Sequence, residues 1–273
     1  MGALKTQIKQ ILSLRLWAKL RLLRQYYMLQ RYPRRSTRHI YGAVPLTVFL
    51  ADPLAEGWYD RDWPELPEIA LLAQHNLKPG ARVFDLGAHQ AVVALMLAHR
   101  VEPSGMVVAV EANAHNVAIA NKNRELNHAE NLRIVHAAVA DASGSLVFNR
   151  GLDGQVDSGT GEWGRTVVDA LTIDDLTRVE GYESKALAGA SESLSGRPDC
   201  FVEVHVGCGL EQFGGSVETV LSYFPTDDYE LLICPEKDTE FVPLCAGSPI
   251  LEDRFFLVAL ARRCCLPAAG GNS

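Results

Sequence analysis

Two acids and a small-residue turn are spaced as in a site for a nucleotide-type cofactor. In the stretch VFDLGAHQA, Asp85 is followed by Gly87 and Ala88, where the backbone can turn sharply and approach a ligand closely. Glu111 ends the next apolar run, MVVAV, and an acid at the tip of a strand can hold both hydroxyls of a ribose. This order of strand, turn, helix, strand and acid fits S-adenosylmethionine (SAM) or a dinucleotide. The dinucleotide is disfavoured because the turn lacks G-x-G-x-x-G.

Apolar runs that alternate with helical patterns around this turn predict a doubly wound, Rossmann-like α/β fold, with its ligand at the carboxyl ends of the first two strands. The predicted helices are Glu68–Asn76, Ala91–Arg100, His115–Asn127, a short helix beginning in Leu171–Leu176, Val179–Leu194 after its glycine, and Ser216–Phe224. The predicted strands are Leu46–Leu50, 83–86, Met106–Val110, Leu132–Val135, Leu146–Phe148, Thr166–Val168, Cys200–Val206, Tyr229–Cys234, Phe241–Leu244 and Phe255–Ala261.

The first 40 residues differ in charge from the rest of the chain. They contain ten Lys or Arg and no acid, whereas the remaining residues contain 16 bases and 33 acids. Apolar residues at near-helical spacing predict a helix over Leu4–Tyr32, with bases on much of its remaining surface. Such a helix is an interfacial anchor on anionic lipid, or it packs on its own domain or on a partner chain. We therefore expect a basic arm (1–40), a Rossmann-like domain (41–265) and a frayed tail (266–273).

Composition narrows the partners and the location. An acidic domain does not favour nucleic acid, and no apolar run approaches 18 residues, the length that a membrane-spanning helix needs. The six cysteines form no C-x-x-C pair, which is typical of reduced thiols in the cytosol. The histidines are scattered, so no metal site is predicted. We expect a cytoplasmic protein, or one held at the inner face of a membrane by its arm, and the sequence leaves the oligomeric state open.

Several segments, in order along the chain, resemble the FkbM-type methyltransferases, a SAM-dependent family. Asp85–Ala88 (DLGA) resembles the first cofactor motif of the family, and Val110–Asn113 (VEAN) resembles its ribose motif. Ala137–Val139 (AAV) is similar to the segment after the third strand, and Val179–Glu183 (VEGYE) to the V-E-G-x-E signature. Pro198–His205 (PDCFVEVH) resembles the strand that follows. The resemblance covers most of the predicted domain, and it is specific because several motifs agree in order.

The resemblance implies methyl transfer from SAM to a hydroxyl oxygen of a small molecule, sugar or polysaccharide. The implied cofactor-binding residues are Asp85, Gly87, Ala88, His89, Glu111, Ala112, Asn113 and Ala138. The candidate catalytic bases, which would take the proton of the acceptor hydroxyl, are Glu180, Glu183 and His205. Glu180 and Glu183 are equally typical of acids in the first turn of a helix. His205 shares one face of a strand with Glu203, either as a functional pair at the cleft or as a satisfied buried pair.

Two departures from the family pattern bear on the site. His89 and Ala91 stand where the family usually has asparagine and a final glycine. Only Thr177 and Arg178 separate the Asp-Asp-Leu helix from the V-E-G-x-E signature, whereas a buried strand needs about five residues. We therefore expect the central fourth strand to be shortened or missing, which leaves a gap beside the first strand or makes its two neighbours pair directly. Unpaired ladder groups cost about 1–3 kcal/mol each, so the alternative to an active enzyme is an impaired methyltransferase-like binding or membrane-associated protein.

Three segments connect the predicted helices and strands. Pro33–Arg38 is predicted to be a polar break between the arm and the domain. Gly57–Pro67, rich in aromatic and acidic residues, is a substrate lip or a surface connection. Gly151–Gly164 is a glycine-rich loop that closes on a substrate or forms a simple hairpin excursion.

Overall fold

The computed structural model describes residues 14–149, 165–174, 190–207, 210–211, 214–245 and 253–262. The helices are α1 (Leu14–Arg31), α2 (Pro53–Tyr59), α3 (Pro67–Gln74), α4 (Val92–Val101), α5 (Ala114–Leu126), α6 (Ser191–Ser195) and α7 (Val217–Ser222). The strands are β1 (Arg35–Tyr41), β2 (Val44–Leu50), β3 (Arg82–Leu86), β4 (Met106–Glu111), β5 (Leu132–His136), β6 (Ala138–Val139), β7 (Gly144–Asn149), β8 (Arg165–Leu171), β9 (Cys200–Val204), β10 (Tyr229–Pro235), β11 (Val242–Pro243) and β12 (Phe255–Ala261). Glu180, Glu183 and the glycine-rich loop lie outside the described residues.

Strands β1 and β2 form an antiparallel hairpin ahead of the parallel sheet. A two-residue turn joins them, where Gly42 and Ala43 have φ values of +54° and +68°, as two-residue hairpin turns of type I′ require. The predicted strand Leu46–Leu50 is confirmed as part of β2. The prediction of a polar break at Pro33–Arg38 is wrong, because β1 begins at Arg35 and pairs along its whole length with β2.

Strands β3, β4 and β5 form a parallel sheet in that order, with α4 following β3 and α5 following β4 in the chain. The register places Asp85 opposite Ala109, and Glu111 opposite His136. Residues 107–110 of the central strand are all buried, as a parallel strand covered on both faces requires. This β-α-β-α-β unit confirms the predicted Rossmann-like α/β fold, and its helices and strands lie within about two residues of the predicted ones.

Two further sheets follow along the chain. One has the order β6-β8-β7, in which β7 and β8 are antiparallel and longer than predicted. The other has the order β11-β10-β12-β9, with antiparallel neighbours throughout. It buries its own apolar cluster around Val202, Phe255 and Leu257. That cluster is distinct from the one formed by the hairpin, α4 and the parallel sheet.

In the resembling fold, a fourth strand lies between the first strand of the parallel sheet and the strand at Cys200–Val204. β3 is at one edge of its sheet and β9 at one edge of the other, so the alternative of direct pairing between them is wrong. Residues 83–86 are only partly buried. No described strand pairs with the outer edge of β3. Residues 175–189, where the fourth strand is expected to be shortened or missing, lie outside the described residues, so that expectation stays a prediction. A hydrogen bond from Asn76 Nδ2 to Asp199 Oδ2 (2.6 Å) joins the two parts.

Helix α1 confirms the predicted arm helix from Leu14 onward. Tyr32, which follows it, packs against the apolar cluster of the hairpin and parallel sheet. Within the described ranges, no helix is both long enough and apolar enough to cross a bilayer.

Candidate cofactor site

The turn after β3 leaves its backbone accessible at the carboxyl end of the parallel sheet. Gly87 and Ala88 each donate a backbone N–H to Val110 O at 3.0 Å, which joins the turn to β4. Gly87 has a φ of +75°, and no atom lies within 4 Å of the place where a side chain would begin. A ligand can therefore approach the backbone closely at this position.

His89 and Ala91, the two departures from the family pattern, both have left-handed backbone conformations. Their φ values are +49° and +62°, which cost about 1–3 kcal/mol each for a residue with a side chain. A hydrogen bond from Ala91 N to Ala88 O at 2.7 Å closes the turn. Two residues with side chains therefore adopt, within this turn, a backbone conformation that glycine adopts more readily.

Glu111 faces this turn from the end of β4. Its Oε2 accepts the backbone N–H of His89 at 2.9 Å, and its Oε1 accepts that of Asn113 at 2.7 Å. Burial raises the pKa of Glu111, and the two backbone donors oppose that rise. Asn116 Nδ2 makes a third, long contact with Oε1 at 3.5 Å. A carboxylate offers about four acceptor sites, so the side chain is fixed in place and keeps one open site, with a second where a hydroxyl replaces the Asn116 contact.

Asp85 places a second carboxyl group beneath the turn. Its Oδ2 is buried and has no hydrogen-bond partner among the described residues. Burial, and then the charge of Glu111, raise the pKa of Asp85 to about 7. A buried polar atom without a partner is unusual, and it fits a site whose ligand supplies the missing donor.

An aromatic group from α2 lies against the turn. Tyr59 Oη is 2.8 Å from His89 Nδ1, and the rings of Trp58 and His89 are 5.0 Å apart. Burial lowers the pKa of His89 to about 4 and raises the pKa of Tyr59, so both groups are neutral at pH 7. The first residues of Gly57–Pro67 are thus the end of a helix beside the candidate site, and Tyr59 itself is buried.

Sequence reasoning missed Asp52, which connects three elements around the turn. Its Oδ1 accepts Ala55 N at 2.8 Å as the N-cap of α2, and its Oδ2 accepts Gln90 Nε2 at 2.7 Å and His115 Nε2 at 3.0 Å. Burial opposes its ionisation, but these donors outweigh burial and lower the pKa of Asp52. The available signal was an aspartate directly before Pro53, which is typical of a helix start.

The remaining predicted cofactor residues lie together at the ends of β4 and β6. His136 Nε2 donates to Ala112 O at 3.1 Å, and Asn113 Oδ1 accepts His115 N at 3.0 Å as the N-cap of α5. Ala138 is fully buried and packs with Ala112 in one small apolar cluster. All eight predicted cofactor residues are therefore on adjoining segments at one end of the parallel sheet.

His205 lies on the other sheet, directly after β9. Its Nε2 is 3.6 Å from Glu203 Oε1, and that same oxygen is 3.1 Å from Arg254 Nη1. Both members of the expected pair are partly exposed, so the buried-pair interpretation is wrong. Its role as a base stays a prediction, as do those of Glu180 and Glu183.

The described residues contain one other concave surface, which lies apart from this site. A shallow depression of about 430 Å³ is lined by Arg61, Asp62, Trp63, Pro64 and Leu66, and none of these belongs to the turn after β3. Within the described parts of the chain, no three His, Cys, Asp or Glu side chains converge as metal ligands. The candidate site therefore rests on hydrogen bonds and backbone shape.

Fold and site together define a Rossmann-like α/β protein with a candidate cofactor site at the carboxyl ends of its parallel strands. Residues 68–143 match the family model described as Protein-L-isoaspartate(D-aspartate) O-methyltransferase. The match spans less than a third of the chain, and it contains the whole parallel sheet, its turn and Glu111. This model is not that of the FkbM type, so membership of that family stays a prediction.

Solved structures of several methyltransferases are similar to the chain at low identity. One is a SAM-dependent O-methyltransferase from Thermotoga maritima, with 16% identity over 81% of this chain and 76% of that chain and a TM-score of 0.41. Another is the precorrin-6y C5,15-methyltransferase from Geobacter metallireducens, with 13% identity over 70% and 86% and a TM-score of 0.39. A third is methyltransferase FkbM from Methylobacillus flagellatus, with 16% identity over 65% and 43% and a TM-score of 0.38. No curated protein sequence matches the chain.

Proposed function

We propose that the chain is a SAM-dependent methyltransferase that methylates a hydroxyl oxygen of a small molecule, sugar or polysaccharide. The observation that carries the proposal is the position of Glu111, whose two carboxylate oxygens accept N–H groups from the turn and from the N-cap residue of α5. This arrangement lies within the segment that matches a methyltransferase family. The choice of oxygen as the acceptor atom, and of a hydroxyl as the acceptor group, comes from the resemblance to the FkbM type.

The residues of the site fit SAM in type and position. Glu111 takes the two ribose hydroxyls, and the open backbone at Gly87 takes the methionine part, with Asp85 Oδ2 as a free acceptor beside it. Ala112 and Ala138 supply the apolar wall beside the adenine. These assignments follow the general rule that ligands bind at the carboxyl ends of parallel strands.

The cofactor supplies a methyl group that its sulfonium has already activated. The protein must then hold the acceptor oxygen in line with that methyl group and accept the hydroxyl proton. Glu180, Glu183 and His205 are the proposed proton acceptors. Trp58, which is partly exposed next to His89, is placed to contact the acceptor at the mouth of the site.

Calorimetric titration of the full chain with SAM, and with its demethylated product, tests the proposal. We expect Glu111→Ala to weaken SAM binding at least about tenfold, since even one hydrogen bond to a charged group contributes about 1.5–3 kcal/mol. The matched control is Glu130→Ala, which removes an exposed carboxylate and should leave the affinity unchanged. The proposal is contradicted if a folded chain binds neither SAM nor its demethylated product.

A second function, binding without methyl transfer, is favoured by one observation, which is that only Thr177 and Arg178 stand where the fourth strand is expected in the sequence. Its test is a single-turnover assay with methyl-labelled SAM and a panel of hydroxyl acceptors. SAM binding with no transfer to any acceptor supports this second function. Transfer to any acceptor excludes it.

A further inference from the structure

Helix α1 exposes large apolar side chains along one side. Leu20, Leu23 and Tyr27 are 44%, 64% and 56% exposed. Their spacing of three and four residues places them on the same face of the helix. Tyr26 and Met28 on the flanks are also exposed. Apolar side chains that cluster at the surface in this way mark an interaction site, and in the part of the chain that the structure describes this face does not pack on the domain.

The charge around this face is positive. Arg24 and Arg31 are exposed on the same helix, and the Arg31 guanidinium lies over the Tyr27 ring at 4.6 Å from its centre. The first 40 residues contain ten Lys or Arg and no acid, whereas the remaining chain has 33 acids against 16 bases. An anionic surface therefore attracts this helix and repels the rest of the protein.

The residues directly after the helix are joined to α2 and its C-cap by polar contacts. Arg35 Nη2 donates to Glu56 Oε1 at 2.7 Å and to Asp60 Oδ2 at 2.6 Å, and Arg35 Nη1 donates to Tyr32 Oη at 3.2 Å. Because α2 also contributes Tyr59 to the candidate cofactor site, the chain that follows α1 is bonded to an element of that site.

We propose that helix α1 docks on an anionic lipid bilayer, with Leu20, Leu23 and Tyr27 in the headgroup layer and the neighbouring arginines on lipid phosphates. A basic helix with an apolar face is the kind of element that binds such surfaces. A second copy docked arm to arm would bring two sets of like charges together, which disfavours a dimer through this face. The docking does not depend on the proposed methyl transfer.

Sedimentation of the full chain with lipid vesicles tests this docking. We expect binding to vesicles of equal parts phosphatidylcholine and phosphatidylglycerol and none to phosphatidylcholine alone. Binding should weaken with added salt, because the screening length shortens from about 8 Å at physiological ionic strength to about 3 Å at 1 M. The triple variant Leu20→Ser, Leu23→Ser and Tyr27→Ser should bind at least tenfold more weakly.

Two further variants make the result specific to the face. The matched control replaces three exposed valines on strands, Val147→Ser, Val167→Ser and Val242→Ser, and should bind like the unmodified chain. The pair Arg24→Gln and Arg31→Gln, which leaves the apolar face intact, should bind anionic vesicles several-fold more weakly and provides a test if the triple variant fails to fold.

Four results would overturn the docking. They are failure of the full chain to bind anionic vesicles, equal binding to neutral vesicles, tight binding that neither the triple nor the arginine variant weakens, and a dimer that the triple variant disperses while vesicles are not bound. SAM calorimetry on the same preparations separates these results from a failure of the proposed enzymatic function.

Discussion

The hydroxyl of Tyr59 fixes the ring of His89, whose backbone N–H in turn binds Glu111. Tyr59→Phe removes the hydroxyl and leaves His89 Nδ1 without this partner in a largely buried place. We expect the free energy of unfolding to fall by about 1–3 kcal/mol, the cost of an unsatisfied buried polar group. Urea unfolding measures this loss of stability. The control is Tyr27→Phe, because the Tyr27 hydroxyl is on an exposed side chain. Equal stability of the two variants would show that the contact with His89 contributes nothing.

Asp85 makes stability depend on pH. Its pKa is raised from the ordinary value of 3.8 to about 7, so between these values the native state holds a proton that the unfolded chain has released. The contribution of Asp85 to the free energy of unfolding is fully present below about pH 4, and it is lost as the pH rises to about 7. Asp85→Asn, which is neutral throughout, should therefore exceed the unmodified chain in stability above pH 7 by at most about 4 kcal/mol.

Urea unfolding of Asp85→Asn across pH 4 to 8 checks this dependence. The difference between the variant and the unmodified chain should shrink steadily toward the acidic end of the range. Asp169→Asn, which changes an exposed carboxylate, should show no such trend. A stability difference for Asp85→Asn that does not vary with pH would mean that the carboxyl group ionises normally.

Sequence reasoning found the part of the site that is contiguous in the chain and missed the part that is not. Gly87 and Glu111 belong to short motifs whose spacing follows from strand, turn and strand. Asp52, by contrast, is 38 residues from its partner Gln90, and the contact exists only after the hairpin has folded against the sheet. Tyr59 reaches His89 for the same reason, across 30 residues.

At the scale of elements, side chains of α5 join the hairpin to the Rossmann-like unit. Asn123 accepts Phe49 N at 2.7 Å and donates to Gln90 O at 2.9 Å. Asn127 accepts Thr47 N at 2.9 Å and donates to Thr47 O at 2.8 Å. These amides pair with the free edge of β2, which would otherwise leave backbone groups unsatisfied.

Removing one of these amides should cost more than removing a similar amide elsewhere on the helix. Asn123→Ala leaves Phe49 N and Gln90 O unpaired in a buried place, so we expect the free energy of unfolding to fall by about 2–4 kcal/mol. Asn121→Ala on the same helix removes only a bond to Val117 O one turn away and should cost under about 1 kcal/mol. Thermal or urea unfolding of both variants gives the comparison, and equal losses would contradict a docking role for Asn123.

The hairpin also shows where element prediction fails. β2 alternates apolar and less buried residues and was predicted, whereas β1 reads RSTRHIY and has the composition of a polar loop. Its outward side chains are paired through charge, as Arg35 is with Glu56 and Asp60. A strand whose stability comes from its partner strand and from such pairs leaves little apolar signal in its own sequence.

At the scale of the whole molecule, the two largest apolar clusters of the described residues lie on different sheets. The first surrounds the hairpin, α4 and the parallel sheet and includes Leu132; the second surrounds β9, β10 and β12 and includes Leu257. The sequence predicts that these strands belong to one Rossmann-like domain whose fourth strand is shortened or missing. Each strand is identified by its own apolar run, which does not show which strand it pairs with. Joining the two sheets would need the fourth strand, and the segment between Leu176 and Val179 is too short to form that strand.

Two clusters on separate sheets should open separately under native conditions, since local unfolding follows the boundaries of packed units. Leu132→Ala and Leu257→Ala remove the same group from the two clusters, and each should cost about 2–5 kcal/mol locally. Hydrogen exchange read by mass spectrometry should then show faster exchange in β3, β4 and β5 for the first variant. For the second, faster exchange should be confined to β9, β10 and β12. Each variant serves as the control for the other. Faster exchange in both sheets for both variants would show that the molecule unfolds as one cooperative unit, although its two main clusters lie on separate sheets.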